Sequence, residues 1–188
     1  MAWVWQAVGL FVATDIDDLV LLSLFFSQAN RAPGSTWRVV AGQYLGFAAI
    51  VAISLAGARG ADLLPKHAIS YLGLLPIAIG LNAALRAWPY WSRDVELPVP
   101  RIGMLAVAGI TLADGGDNIG VFVPALAARP GAVRIGMVLV FLVMVAVWCR
   151  LGYLLGNRRL AIIAVRRWGR VVYPVVLVAV GIRILLTA

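Results

Sequence analysis

Six apolar runs take up most of this chain, roughly Trp3 to Phe26, Trp37 to Ala58, Ala68 to Trp88, Ile102 to Ala127, Val133 to Leu155 and Val171 to Leu186. A run of about 20 apolar residues matches the thickness of a bilayer's hydrocarbon. In lipid the backbone must satisfy its own hydrogen bonds, so each run is expected to be a transmembrane helix. Hydrophobic residues make up 63% of the 188, and the mean hydropathy is +0.96, more than a soluble core requires. The expectation is an all-α integral membrane protein with one transmembrane domain over residues 1–188 and no soluble catalytic domain. The breaks carry turn-forming residues, as in Arg31-Ala32-Pro33-Gly34-Ser35, Pro65-Lys66, the Arg93 to Arg101 stretch and Arg129-Pro130-Gly131. A re-entrant segment would lower the count to five spans.

The formal charge of +8 does not point to nucleic acid, because the basic residues lie between apolar runs, where they contact lipid headgroups and set topology. Loops after the first, third and fifth runs hold Arg31, Arg38, Arg86, Arg93, Arg101, Arg158, Arg159, Arg166, Arg167 and Arg170. Those after the second and fourth hold Arg59, Lys66, Arg129 and Arg134. Ten against four puts the first set in the cytoplasm, so that both termini of a six-span protein of the inner (cell) membrane face outside. The single Cys149 can form no internal disulfide and no CxxC metal site. The first run has no basic leader and carries three aspartates, unlike a signal peptide.

Two acidic clusters interrupt this pattern, Ala13-Thr14-Asp15-Ile16-Asp17-Asp18-Leu19 and Ala113-Asp114-Gly115-Gly116-Asp117-Asn118-Ile119, 100 positions apart. A carboxylate at bilayer depth costs about 2.5–3.5 kcal/mol on insertion scales, so such residues need a partner, most simply a cation or protons. At offset 100, Ala13 meets Ala113, Asp17 meets Asp117 and Asp18 meets Asn118. At offset 101, Ala78-Ile79-Gly80-Leu81 meets Ala179-Val180-Gly181-Ile182. The spacing predicts two three-helix repeats, about 1–90 and about 100–188. Three being odd, the second is inverted relative to the first, with the site between them.

At about 100° per residue, Thr14, Asp17 and Asp18 share one face of a regular helix, and Asp114, Asp117 and Asn118 share the matching face of its counterpart. Asp15 lies far around the helix from Asp17. Either the helix opens there or Asp15 has a separate task. Gly115-Gly116 makes local unwinding plausible in the second cluster, and Pro124 is expected to kink the helix beyond. Every candidate ligand is an oxygen, which suits divalent cations such as Mg²⁺, Mn²⁺ or Ca²⁺. Clustered carboxylates also compete for protons, so metal and protons are expected to exchange.

The first cluster, the stretch Gly42-Gln43-Tyr44-Leu45-Gly46-Phe47 and the run Gly115-Gly116-Asp117-Asn118-Ile119-Gly120-Val121-Phe122-Val123-Pro124 together resemble the CadD-type cadmium-resistance transporters of the LysE-like exporter superfamily. The resemblance spans nearly the whole chain. It implies a six-helix membrane protein exporting a divalent cation such as Cd²⁺, Mn²⁺, Zn²⁺ or Mg²⁺, with a site formed by Asp17, Asp18, Asp117 and Asn118 and with Asp15, Asp114 and Gln43 nearby. Asp15 and Asp114 stand where the family usually carries a small residue or asparagine.

Other polar residues have plainer readings. Gln43 is either a ligand or an interhelical hydrogen-bond donor, and Asn82 reads as packing glue. His67, beside Lys66, reads as interfacial, and Arg150 and Arg183 as snorkelling. Gly42 with Gly46 and Gly152 with Gly156 suit close helix packing inside the protomer; used between protomers they would make a homodimer. The tryptophans Trp3, Trp5, Trp37, Trp88, Trp91, Trp148 and Trp168 lie mainly at segment ends and read as an aromatic belt. No nucleotide-binding motif or enzyme cofactor is expected, so the leading reading is a proton-coupled secondary metal exporter rather than an enzyme. An exporter of small organic cations such as basic amino acids is the alternative. An intramembrane hydrolase would want histidine ligands, which the clusters lack.

Overall fold

The computed structural model describes residues 2–29, 35–63, 71–87, 103–156 and 174–186, which are helical with no strand among them. The first apolar run forms α1 (Ala2–Thr14) and α2 (Ile16–Ala29), and the second forms α3 (Thr36–Ala61). The third contributes α4 (Leu74–Ala87). The fourth forms α5 (Met104–Asp114) and α6 (Gly116–Ala127), the fifth α7 (Gly131–Leu155), and the last α8 (Pro174–Leu186). α3 and α7 have 26 and 25 residues and are long and apolar enough to cross a membrane. At 1.5 Å per residue each reaches about 38 Å.

Two of the expected single helices are therefore broken, at Asp15 and at Gly115, 100 positions apart. The breaks are alike in their hydrogen bonding. Asp15 N donates to Phe11 O at 2.9 Å and Leu19 N to Asp15 O at 3.1 Å. Gly115 N donates to Thr111 O at 3.0 Å and Ile119 N to Gly115 O at 3.1 Å. Each break is thus a one-residue bend whose flanking bonds are kept, not a long unwound stretch. Pro124 lies inside α6, where it removes one donor from the ladder.

Packing is reciprocal. The long α3 lies against the broken pair α5–α6, and the long α7 lies against the broken pair α1–α2. Glycines make both contacts close. A Cβ on Gly46 would fall 2.6 Å from Ala108 O, and one on Gly152 would fall 2.9 Å from Leu22 Cβ, so only glycine lets these backbones approach so far. Gly73, just before α4, meets Gly181 of α8.

Burial is arranged as a bilayer demands. On α7, Ile135, Leu139, Val143, Val147 and Leu151 form an exposed apolar stripe, one residue per turn. Inside, Thr14, Asp15, Asp18, Gln43, Thr111 and Asn118 are buried. Polar groups within and aliphatic groups without fit lipid as the surrounding solvent.

Candidate functional site

The site is assembled from the two breaks and the two long helices that cover them. At the first break, the bend turns the Asp15 side chain into the protein, where it is 1% exposed, and its backbone carbonyl accepts from Trp148 Nε1 of α7 at 2.6 Å. Asp15 Oδ1 accepts from Asn118 Nδ2 at 3.0 Å, which joins the two acidic clusters directly. Asp15 Oδ2 lies 3.0 Å from Thr14 Oγ1, and the same hydroxyl is 3.0 Å from Leu10 O, so one proton serves two acceptors.

A second strand of the network runs through α3. Asp18 Oδ2 accepts from Gln43 Nε2, and Gln43 Oε1 accepts from Thr111 Oγ1 at 2.7 Å. Asn118 N donates to Asp117 Oδ1 at 2.8 Å, in the first turn of α6, where an acidic residue also complements the helix dipole. Asn118 Oδ1 is buried and has no hydrogen-bond partner among the described residues. Such an atom costs about 1–3 kcal/mol unless something approaches it.

The eight residues expected to form a site are thus in one region, but not on two facing triads. Asp15, Asp18, Thr14, Gln43 and Asn118 are buried together. Asp117 is half-buried, while Asp17 and Asp114 are exposed. The Asp17 carboxylate interacts with those of Asp114 and Asp117, and Asp18 interacts with Asp114 as well. The bend at Asp15 accounts for the difference, since a regular helix would have placed Asp17 inward and Asp15 off the face. Among the described residues, no three His, Cys, Asp or Glu side chains are gathered closely enough to hold one ion by themselves. The amide and hydroxyl oxygens therefore matter.

Trp148, which bonds Asp15, belongs to an aromatic cluster. Phe11 packs on Phe47 at 5.3 Å and edge-on to Trp148 at 5.2 Å, and Phe122 stacks on Phe141 at 4.4 Å between ring centroids. Among the buried members of the network each hydrogen bond and each charge interaction is stronger than in water.

The family model for cadmium resistance transporters matches residues 11–188. The chain belongs to the cadmium resistance transporter family. It is a membrane transporter, and the matched span takes in both acidic clusters, Gln43 and Trp148. No curated protein and no solved structure gave a match.

Two members of the transporter's network were not among the expected site residues. Thr111 is a single hydroxyl in an apolar run, but it precedes Asn118 by seven residues and so shares its face after two turns. The aromatic-belt reading does not hold for Trp148, which is 6% exposed and bonds the broken helix, whereas Trp5 and Trp37 are exposed as that reading requires. Trp3 is half-buried against Gly136. Trp88, Trp91, Trp168, Lys66 and His67 lie outside the described residues. Cys149, remote from both clusters in sequence, is buried beside Trp148 and within electrostatic reach of Asp18. Asn82 and Arg183 stand on exposed faces of α4 and α8.

A separate set of contacts ties the chain together at the end of α3. Arg134 Nη1 and Nη2 donate to Asp62 Oδ2 and Oδ1 at 2.6 and 2.5 Å, Arg134 Nε donates to Arg129 O at 2.7 Å, and Arg129 donates to Gln6. The Arg134 guanidinium holds the Asp62 carboxyl below its usual range.

Proposed function

We propose that the transporter is a secondary exporter of a divalent metal cation, carried through an oxygen-lined site formed by the two acidic clusters at mid-membrane depth. The observation that carries this reading is the bond from Asn118 to Asp15. It brings the clusters together in a dry interior, with the Asn118 Oδ1 acceptor free of a partner among the described residues and the Asp18 carboxylate alongside. Asp15, Asp18 and Asn118 are the inner ligands, and Asp117, Asp17 and Asp114 form the accessible side from which the ion arrives or departs. Thr14 and Gln43 hold the ligands in place.

The architecture proposed is six spans in two inverted three-helix repeats, with both termini extracytoplasmic in an inner membrane. The like breaks at Asp15 and Gly115 and the reciprocal packing of α3 and α7 support it. Rocking of one repeat against the other alternates access to the site. Metal entry displaces protons from the carboxylates, which keeps the charge of the buried region nearly constant through the cycle. The metal is cargo; no enzyme cofactor is invoked.

A resistance and efflux assay against Cd²⁺, Zn²⁺, Mn²⁺ and Mg²⁺ tests the proposal. Replacement of Asp17 or Asp117 by alanine is expected to abolish transport while leaving insertion intact, and retained transport by both variants would remove the assignment. Thermal stabilisation of the purified protein by lysine, and not by any of these metals, would favour export of organic cations instead.

A further inference from the structure

The amide of Gln43 has two chemically different ends, and the protein fixes which one faces the acidic cluster. Gln43 is 1% exposed, and its Nε2 donates to Asp18 Oδ2 while its Oε1 accepts from Thr111 Oγ1 at 2.7 Å. Asp18 Oδ2 thus takes the N–H end of the amide. The hydroxyl of Thr111 is then the group that occupies the carbonyl end. Thr111 can reach it because Gly42 and Gly46, which flank Gln43 on α3, lack side chains. A Cβ on Gly42 would fall 2.7 Å from Val107 Cβ, and one on Gly46 would fall 2.8 Å from Thr111 Cβ. The glycine pair thus seats α5 directly over Gln43.

Building on the proposed metal site, we infer that Thr111 is a positioning residue that sets metal selectivity by turning the Gln43 carbonyl oxygen away from the ion. With the amide held this way, Gln43 contributes an N–H to Asp18 and no oxygen to the cation. The ion meets a short set of oxygens, chiefly those of Asp15, Asp18 and Asn118. Such a set disfavours Ca²⁺, which seeks about 6–8 oxygen ligands, relative to Cd²⁺, an ion of like charge and similar size that accepts fewer. Freed from Thr111, the amide can rotate and offer its carbonyl as an additional neutral ligand. The energetic scale is that of one buried hydrogen bond, which corresponds to a change of about tenfold in relative affinity.

The test is calorimetric titration of the purified full-length protein with Cd²⁺ and with Ca²⁺, for the wild type, Thr111→Val, Thr111→Ser, Gln43→Ala and the Thr111→Val/Gln43→Ala pair. Valine keeps the shape of threonine, and serine restores the hydroxyl. The expected result is a fall of about tenfold in the Cd²⁺ to Ca²⁺ affinity ratio for Thr111→Val, recovery of the ratio in Thr111→Ser, and no further effect of Thr111→Val once Gln43 is alanine. A merely structural role for Thr111 would weaken both ions alike, and an unchanged ratio, or the same shift in the Gln43→Ala background, would overturn the inference. Failure of the wild type to bind either ion would remove the metal-site reading and this assignment with it. An unchanged Thr111→Val ratio on a wild type that does bind would remove this assignment alone.

Discussion

Replacing Gly46 by alanine tests how closely the two halves of the chain must meet. An added Cβ would sit 2.6 Å from Ala108 O and 2.8 Å from Thr111 Cβ, where ordinary contact begins at 3.4 Å. A backbone carbonyl cannot rotate aside, so α5 must retreat from α3 by about 0.8 Å, the difference between 3.4 and 2.6 Å. The same retreat stretches the bond from Thr111 Oγ1 to Gln43 Oε1 from 2.7 Å to about 3.5 Å, beyond useful hydrogen-bond distance. Overpacking costs about 1–3 kcal/mol and the lost bond about 0.5–1.5 kcal/mol, together about 1.5–4.5 kcal/mol. For a chain of this size that lowers the melting temperature by about 3–18 °C. The assay is thermal unfolding of the detergent-solubilised protein, with Gly60→Ala as the internal control. Gly60 is on the same helix and would meet nothing within 4 Å, so alanine there should leave the melting temperature unchanged or raise it slightly through better helix propensity. Equal melting of Gly46→Ala and Gly60→Ala would refute the close α3–α5 seating on which the Gln43 geometry depends.

Further outcomes follow from the same contacts. Trp148→Phe keeps the ring that packs on Phe11 but loses the donor to Asp15 O. Because that carbonyl still accepts from Leu19 N, the expected cost is only about 1 kcal/mol, a drop of about 2–4 °C, whereas Trp148→Ala should cost about 3–5 kcal/mol. Identical melting of wild type and Trp148→Phe would mean that the indole does not hold the break. Asp62→Asn should lower stability at neutral pH through the loss of the Arg134 pair. Because the folded carboxyl lies below its ordinary value of 3.8, the stabilisation is present above that value and disappears as pH falls through the still lower folded value. The gap between wild type and Asp62→Asn should therefore close only in strong acid; a gap of the same size at pH 7 and in strong acid would contradict the pairing.

The apolar runs were enough to place α3 and α7, because a helix in lipid has few alternatives and both runs are uninterrupted. The runs from Trp3 and from Ile102 were harder to read, because hydropathy registers a one-residue bend only faintly. The clue at the first lay in the angular misfit of Asp15 with Asp17, which the bend resolves by turning Asp15 inward and leaving Asp17 exposed. At the second, Gly115-Gly116 signalled the weakness directly. Trp148 falls in with the belt tryptophans because composition cannot say which side of an apolar helix faces the protein, and its burial is decided by α1 and α2 packing on α7. Gln43 was legible as a polar residue between two glycines, but its orientation depends on Thr111, a contact across 68 positions that no local pattern encodes. The same is true of Cys149, which only the fold brings near Asp18.

X-ray absorption at the cadmium edge, on the purified protein loaded with Cd²⁺ alone, tests the central claim most directly because it reads the ligand atoms themselves. The account predicts a first shell of oxygen scatterers with no sulfur in the wild type, and loss of that shell in Asp18→Asn and in Asn118→Ala. A sulfur scatterer, which here would identify Cys149 or a methionine, or a shell unchanged in both variants, would contradict a site made from the two acidic clusters.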